Sequence, residues 1–362
     1  MTSQIIASPL VFAGTYTQTM GDVQGKAQGI PVYRLDLSTG ALTPVSTAAG
    51  VTNPSYVTLH PRRQLLYAVN ELDEGGVSAF SLDPATGTLT FLNRQASHGS
   101  APAFVSVDHE GHWVLVANYT SGSVAVLPIR DDGSLDPASD VVQHEGHGVN
   151  PDRQEGPHAH CIVPDPSNQF VLVTDLGLDK IFIYRLDTAH GKLIQNDPPW
   201  TEMHPGSGPR HIAFHPSGGY AYVIHELDSS LTACTYDAAR GVLRPIQRIS
   251  TLPDNFTGKN LGAAVRVAPS GRFVYGSNRG DDSVVVFAID QAAGTLSYVD
   301  RTSTEGQIPR DFNIDPSGTW LLAANQNSNT VVTFRIDQQT GKLSPTGQVA
   351  EVMTPVCVTF TG

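Results

Sequence analysis

One short phrase returns seven times along the chain: an aspartate, a few residues, a glycine, one residue, then leucine. The copies begin at Asp36 (DLSTGAL), Asp83 (DPATGTL), Asp131 (DDGSL, shortened), Asp187 (DTAHGKL), Asp237 (DAARGVL), Asp290 (DQAAGTL) and Asp337 (DQQTGKL). They lie about 50 residues apart, the period of propeller blades rather than of helical solenoids. A unit of this size cannot bury its faces alone, so the repeats must stack on one another.

The fifth unit shows what is stacked. Residues 209–216 (PRHIAFHP), 220–226 (YAYVIHE), 231–237 (LTACTYD) and 243–250 (LRPIQRIS) read as four short strands with turn residues between them. The same order recurs from Pro54, Pro102, Pro157, Ala263 and Pro309, and helical periodicity is absent. The ends complete the pattern. PVCVTF (355–360) matches a first strand with nothing after it, and VFAGTYT (11–17) matches a second strand with nothing before it. The expected fold is all-β: a single seven-bladed propeller over 1–362 with four-stranded antiparallel blades. Its first blade is shared between 11–50 and 355–360, so that pairing of the terminal strands closes the ring.

Composition narrows the function. A formal net charge of −12 disfavours a nucleic-acid or anionic-membrane binder. An anionic small substrate would then need a local cluster of basic residues. Three cysteines, Cys161, Cys234 and Cys357, have no metal-type spacing and give no disulfide framework. The start, MTSQIIASPLVFAG, lacks the basic region of a secretion signal, and no apolar run approaches membrane-spanning length. The expectation is a cytoplasmic protein without a cofactor, a monomer or weak homodimer acting on a small anionic or sugar substrate.

In an antiparallel pair the start of the first strand and the end of the second share one rim. One set of positions follows the strand-opening residue: Ser55, Ala103, His158, Arg210, Ala264, Arg310 and Val356. Two residues on, by period two, come Val57, Val105, His160, Ile212, Arg266, Phe312 and Val358. A second set ends the second strands: Asn70-Glu71, Asn118-Tyr119, Asp175, His225-Glu226, Asn278-Arg279 and Asn325-Gln326. Several arginines at one rim suggest a bound carboxylate or phosphate. Each residue also has a structural reading. His158 and His160 can hydrogen-bond loops, and Arg210 and Arg310 can pair between blades. The asparagines and Asp175 read as turn caps, and Glu226 equally as a general base or an arginine partner. Segment 143–160 holds four histidines and two glutamates, but its spacing fits no compact metal pattern. No G-x-S-x-G, Walker or Rossmann motif is present.

GTYT (14–17), NPSY (53–56), ANYTSGSV (117–124), NPDRQEGPHAH (150–160), GPRHIAFHP (208–216), YAYVIHEL (220–227), TLPDNFTGKN (251–260), SNRGDDSV (277–284) and PRDFNIDPSG (309–318) together resemble the lactonase family of seven-bladed propellers. That family is typified by the cycloisomerase-type 6-phosphogluconolactonases and includes the carboxy-muconate lactonizing enzymes. The resemblance implies a metal-independent site at the rim of the central channel. It maps catalytic or binding roles onto His158, Arg210, Glu226 and Arg279; the residues expected to bind substrate beside them are His160, His211, Arg266 and Arg310. One departure stands out: where relatives carry an acidic residue and a histidine, this chain has Ala264 and Arg266 in AAVRV. The expected reaction is hydrolysis of a sugar lactone, most simply 6-phosphogluconolactone. A muconate-type cycloisomerase and a non-catalytic binding platform are the alternatives.

Overall fold

The computed structural model describes residues 8–21 and 23–361, so the first seven residues, part of the sequence read for a secretion signal, lie outside it. Twenty-eight strands form seven four-stranded antiparallel sheets, and there is no helix among the described residues. Blade 5 runs outwards from the axis as Pro209–Phe214, Tyr220–His225, Ser230–Asp237 and Val242–Ser250, within two residues of the sequence reading. The first strands of successive blades touch one another in an unbroken ring.

The ring closes where Pro355–Phe360 pairs antiparallel with Leu10–Thr15. Thr361 N donates to Leu10 O at 2.9 Å, and Leu10 N donates to Thr361 Oγ1 at 2.9 Å. Blade 1 thus takes its innermost strand from the C terminus. Closure ties the two ends of the chain into one sheet, so the ring has no terminal blade and each blade packs against two neighbours.

The repeated phrase is the joint between blades. Asp237 opens the turn between the third and fourth strands of blade 5, and its Oδ1 accepts the Ala239 amide at 3.1 Å. Gly241 adopts φ +65°, a left-handed conformation that glycine reaches without strain. A Cβ there would lie 2.5 Å from the ring of Phe170, the first residue of the second strand of blade 4. Gly191 meets Trp113, Gly294 meets Tyr220 and Gly341 meets Phe273 in the same way. Glycine is therefore required twice over: by the turn and by the large side chain of the preceding blade. Buried aliphatic and aromatic side chains fill the space between neighbouring sheets as six core clusters.

In five blades an asparagine or histidine at the end of the second strand ties it to the third. Asn70, Asn118, Asn278 and Asn325 each hydrogen-bond a serine or threonine of the third strand. His225 does the same in blade 5 through Nε2 to Thr232 Oγ1, at 2.8 Å. Burial pushes the His225 imidazole down to about 4. The unfolded chain binds this proton below about pH 6.5 and the folded chain does not. The stability contributed by a neutral His225 is therefore complete above pH 6.5 and drains away as pH falls towards 4. We expect the decline between pH 7 and 4.5 in urea denaturation to shrink by about 2 kcal/mol in His225→Asn. An equal decline in both proteins would show that this histidine does not carry the acid sensitivity.

Candidate active site

The inner strands do not keep period two. In six blades one extra residue interrupts the pairing of the first and second strands near the rim: Val356, Ala103, His160, Arg210, Arg310, and one residue at 263–264 in blade 6. Such a bulge re-aims the side chains around it. Arg210 and His211 both line the axial cavity, as do Ser55 and Tyr56. Further along the inner strands the side chains turn back between blades, and Val57, Val105, Ile212, Phe312 and Val358 lie in the hydrophobic clusters rather than at the rim. The register in blade 4 also differs from the expected one. Ala159 pairs with Asp175 as Pro209 pairs with His225, so His160, not His158, is the counterpart of Arg210.

A narrow cavity on the axis is lined by Tyr16, Ser55, Tyr56, Glu71, Ala103, His160, Arg210, His211, Arg310 and Val356. At its edge Glu226 holds three guanidiniums. Its Oε2 accepts from Arg210 Nε at 3.0 Å and Arg279 Nη2 at 2.6 Å, and its Oε1 from Arg153 Nη2 at 2.6 Å. Burial opposes the Glu226 charge, but Arg279, Arg210, His160 and Arg153 outweigh it and hold the carboxyl well below its ordinary range. Arg210 also donates to Ala263 O at 2.6 Å and to His211 Nε2 at 3.2 Å. Burial, then repulsion from Arg279, pushes the Arg210 guanidinium down to about 9. Arg279 is lowered for the same first reason, partly offset by Glu226. Of the two readings of Glu226, the geometry is that of an arginine partner.

Blades 1 and 2 supply a different group. The Glu71 carboxylate accepts the Tyr16 hydroxyl at 3.0 and 2.9 Å, and Oε2 also accepts the Ser55 hydroxyl. The Arg310 guanidinium lies over the Tyr16 ring, 5.8 Å from its centroid, and makes no hydrogen bond or ion pair among the described residues. His160 and His211 are driven well below the ordinary imidazole value, first by burial and then by Arg210, so both are neutral near pH 7. His160 Nδ1, His211 Nδ1 and Arg279 Nε are buried without a hydrogen-bond partner among the described residues. Unspent buried donors at one cavity are a mark of a ligand site.

His158 stands above the cavity. Its ring stacks on Tyr119 at 4.7 Å, Nδ1 donates to Tyr119 O at 3.1 Å, and Nε2 faces Glu155 Oε1 at 3.2 Å. Asp175 fixes its backbone amide at 2.8 Å and binds His144 Nδ1 at 2.6 Å. The long connection after blade 3 is anchored in this way, and it carries Arg153 and His158 to the axis. Among the described residues no group of three or more His, Cys, Asp or Glu side chains is arranged to hold a metal. Arg266 lies deeper and does not line the cavity. It pairs with Asp311 Oδ1 at 2.9 Å and reaches Tyr56 Oη at 3.4 Å across the channel. Ala264 is fully buried, its amide donating to Ser277 Oγ at 3.0 Å. At this depth Asp311 of the adjacent blade supplies the carboxylate that answers Arg266.

The fold and site together define a ring of seven blades whose axial pocket gathers guanidiniums, neutral imidazoles and two carboxylates. The chain belongs to the lactonase family of seven-bladed β-propellers, whose family model matches residues 10–360. It is 42% identical over 305 residues to the 6-phosphogluconolactonase of Bacillus subtilis (strain 168), covering 84% of each chain. The 6-phosphogluconolactonase of Formosa agariphila is 32% identical over 315 residues, covering 84% of this chain and 86% of that one. Among solved structures, the periplasmic gluconolactonase of Pseudomonas aeruginosa matches with a TM-score of 0.91 at 37% identity, over 98% of this chain and 99% of that one.

Sequence placed Glu71 and Tyr119 in the rim set at the ends of second strands but gave them no role, and it singled out neither Tyr16 nor Arg153. The signal for the first three is the repeat itself. Each follows the residue that ends a second strand, as Glu226 does. Arg153 comes from a connection outside the repeat, and nothing in its spacing marks it. Removing one partner of a buried ion pair typically costs about 3–5 kcal/mol, because the other charge is stranded. Glu226→Gln strands Arg210 and Arg279, whose side chains are 3% and 7% exposed. We expect it to lose stability of that order in denaturant titrations, and Arg153→Ala, 35% exposed, to lose at most about 1 kcal/mol. Equal losses would mean that Glu226 is not the anchor of the cluster.

Proposed function

We propose that this chain hydrolyses a sugar lactone carrying an anionic group, most simply 6-phosphogluconolactone to 6-phosphogluconate. The observation that carries the reading is the charge balance at the axis. Arg153, Arg210, Arg279 and Arg310 face only Glu71 and Glu226, leaving two positive charges over. A phosphate monoester near pH 7 brings close to two negative charges. Kinship with proteins named 6-phosphogluconolactonase and gluconolactonase supports the lactone part of the reading.

In this reading Glu226 orients Arg210 and Arg279 towards the lactone carbonyl, and their guanidiniums stabilise the oxyanion that forms when water adds. Arg310 and Arg153 hold the substrate's anionic group. Neutral His160 and His211 offer hydrogen bonds to hydroxyls without adding charge. His158, with Nε2 facing Glu155, protonates the departing ring oxygen at the mouth of the site. We read the protein as cytoplasmic because its three cysteines are free and buried. The Pseudomonas aeruginosa relative is periplasmic by name, and cell fractionation distinguishes the two compartments.

A dicarboxylate carries the same charge as a phosphate monoester, so the deciding assay offers both. Acid release would be followed near neutral pH over lactones with and without phosphate, with unsaturated diacids assayed beside them, in the presence and absence of EDTA. The expected result is EDTA-insensitive turnover of the phosphorylated lactone, and a loss of about 10²–10³-fold in kcat/KM for Arg210→Ala. Turnover of a diacid with no lactone opened would replace this reading with the cycloisomerase one. An unchanged Arg210→Ala would remove Arg210 from it.

A further inference from the structure

Blade 2 carries its rim glutamate where blade 5 does, and exchanges the arginine beside it. Glu71 and Glu226 each follow the residue that ends a second strand, and Ser55 stands where Arg210 stands. The exchange changes what each carboxylate can do. Glu226 is bound by three guanidiniums. Arginine has donors only, so a proton on Glu226 would break charge-assisted bonds and set donor against donor. Glu71 is bound only by the hydroxyls of Tyr16 and Ser55. A hydroxyl can turn from donor to acceptor, so a proton on Glu71 can be accommodated in place.

Position favours Glu71 as well. It lines the axial cavity, whereas Glu226 sits at the cavity's edge with its carboxylate held by three guanidiniums. Its Oε1 accepts a single hydrogen bond, from Tyr16, which leaves acceptor capacity for a water. Arg310 lines the same cavity, yet no ion pair joins the two among the described residues. The other charged or titratable groups facing Glu71 across the cavity are Tyr16, Tyr56, Arg210, His160 and His211. Opposite charges that share a cavity without closing on each other leave a gap between them, here about 10 Å³, the size of a single water.

We propose that Glu71 is the general base that takes a proton from the attacking water, a role that rests on the lactone-hydrolysis reading. The water oxygen bonds to the lactone carbonyl carbon as one of its protons passes to Glu71 Oε1. The resulting oxyanion faces Arg210 and Arg279. The carbonyl then re-forms, the bond to the ring oxygen breaks, and that oxygen takes a proton from His158. Glu71 loses its proton to solvent and His158 regains one, so each turnover consumes one water and yields one hydroxy acid.

The test compares wild type, Glu71→Gln and Glu71→Ala on 6-phosphogluconolactone, with the uncatalysed opening subtracted and melting temperatures measured in parallel. Glu71→Gln should lose about 10²–10⁴-fold in kcat with KM nearly unchanged. Added sodium formate should restore Glu71→Ala in proportion to its concentration, and should do nothing for Arg210→Ala. A purely structural role would give no formate dependence. Glu71→Gln within threefold of wild type, or an inactive Glu71→Ala that formate cannot restore, overturns the proposal. Should Glu71→Gln fail to fold, Ser55→Ala keeps the carboxylate and loses the hydroxyl that can reverse. It should lower kcat about tenfold, and an unchanged kcat overturns the proposal. If wild type opens no lactone, the hydrolysis reading falls and the base falls with it. If wild type is active and Glu71→Gln matches it, only the base falls.

Discussion

An extra residue near the rim end of the inner strands turns consecutive side chains towards the axis, and the site depends on that departure from the pleat. Without it, a strand with period two would send one residue to the channel and the next between blades. With it, Arg210 and His211 both reach the cavity, and Ile212 returns to the core. The bulge sits at the rim, where the strand has few further pairs to disturb. Below it the ladder resumes and the blades pack as regular sheets. Rigidity of the scaffold and an irregular site are thereby kept a few residues apart.

The ring then concentrates what the bulges expose. Seven inner strands converge on one axis, so side chains far apart in sequence share a small volume. Four arginines gathered in this way would repel strongly if nothing else were present. Glu226 answers three of them at once, and this arrangement uses one carboxylate where three exposed pairs would use three. The cations remain under-compensated, since four guanidiniums face two carboxylates. Such a cluster is stable enough to fold and still gains from an arriving anion. A fully neutralised cluster would not, because each new contact would replace an existing one.

Much of the architecture was legible from the chain alone. The seven aspartate-to-leucine phrases marked the turns between third and fourth strands, and the unmatched segments 11–17 and 355–360 marked the closure. The phrase is readable because backbone and packing both demand it: glycine at positive φ, pressed against the preceding blade. The residues of the site were harder to place. Period two put Ile212 and Phe312 at the rim and aligned His158 with Arg210, because a bulge leaves no mark in the spacing. Arg266 looked like a rim cation, but it lies a layer deeper on Asp311. Which partner a charge finds is decided across blades, between residues tens to hundreds of positions apart, and no local pattern records it.

A repeat protein offers its own control for such questions. Where blades agree, as in the Asn–Ser and Asn–Thr caps of blades 2, 3, 6 and 7, the shared residue serves the blade. Where one blade departs, the departure needs another cause. Blades 4 to 7 bring His160, Arg210, Arg279 and Arg310 to the axis, while blades 1 to 3 bring Val356 and Tyr16, Ser55 and Glu71, and Ala103 and Tyr119. No requirement of the propeller calls for one half of the ring to be basic and the other hydroxylic, since the blades pack alike on both sides. The asymmetry gives the cavity a direction. A substrate with a charged end and a neutral, electrophilic end would be oriented on entry, before any catalytic group acts on it.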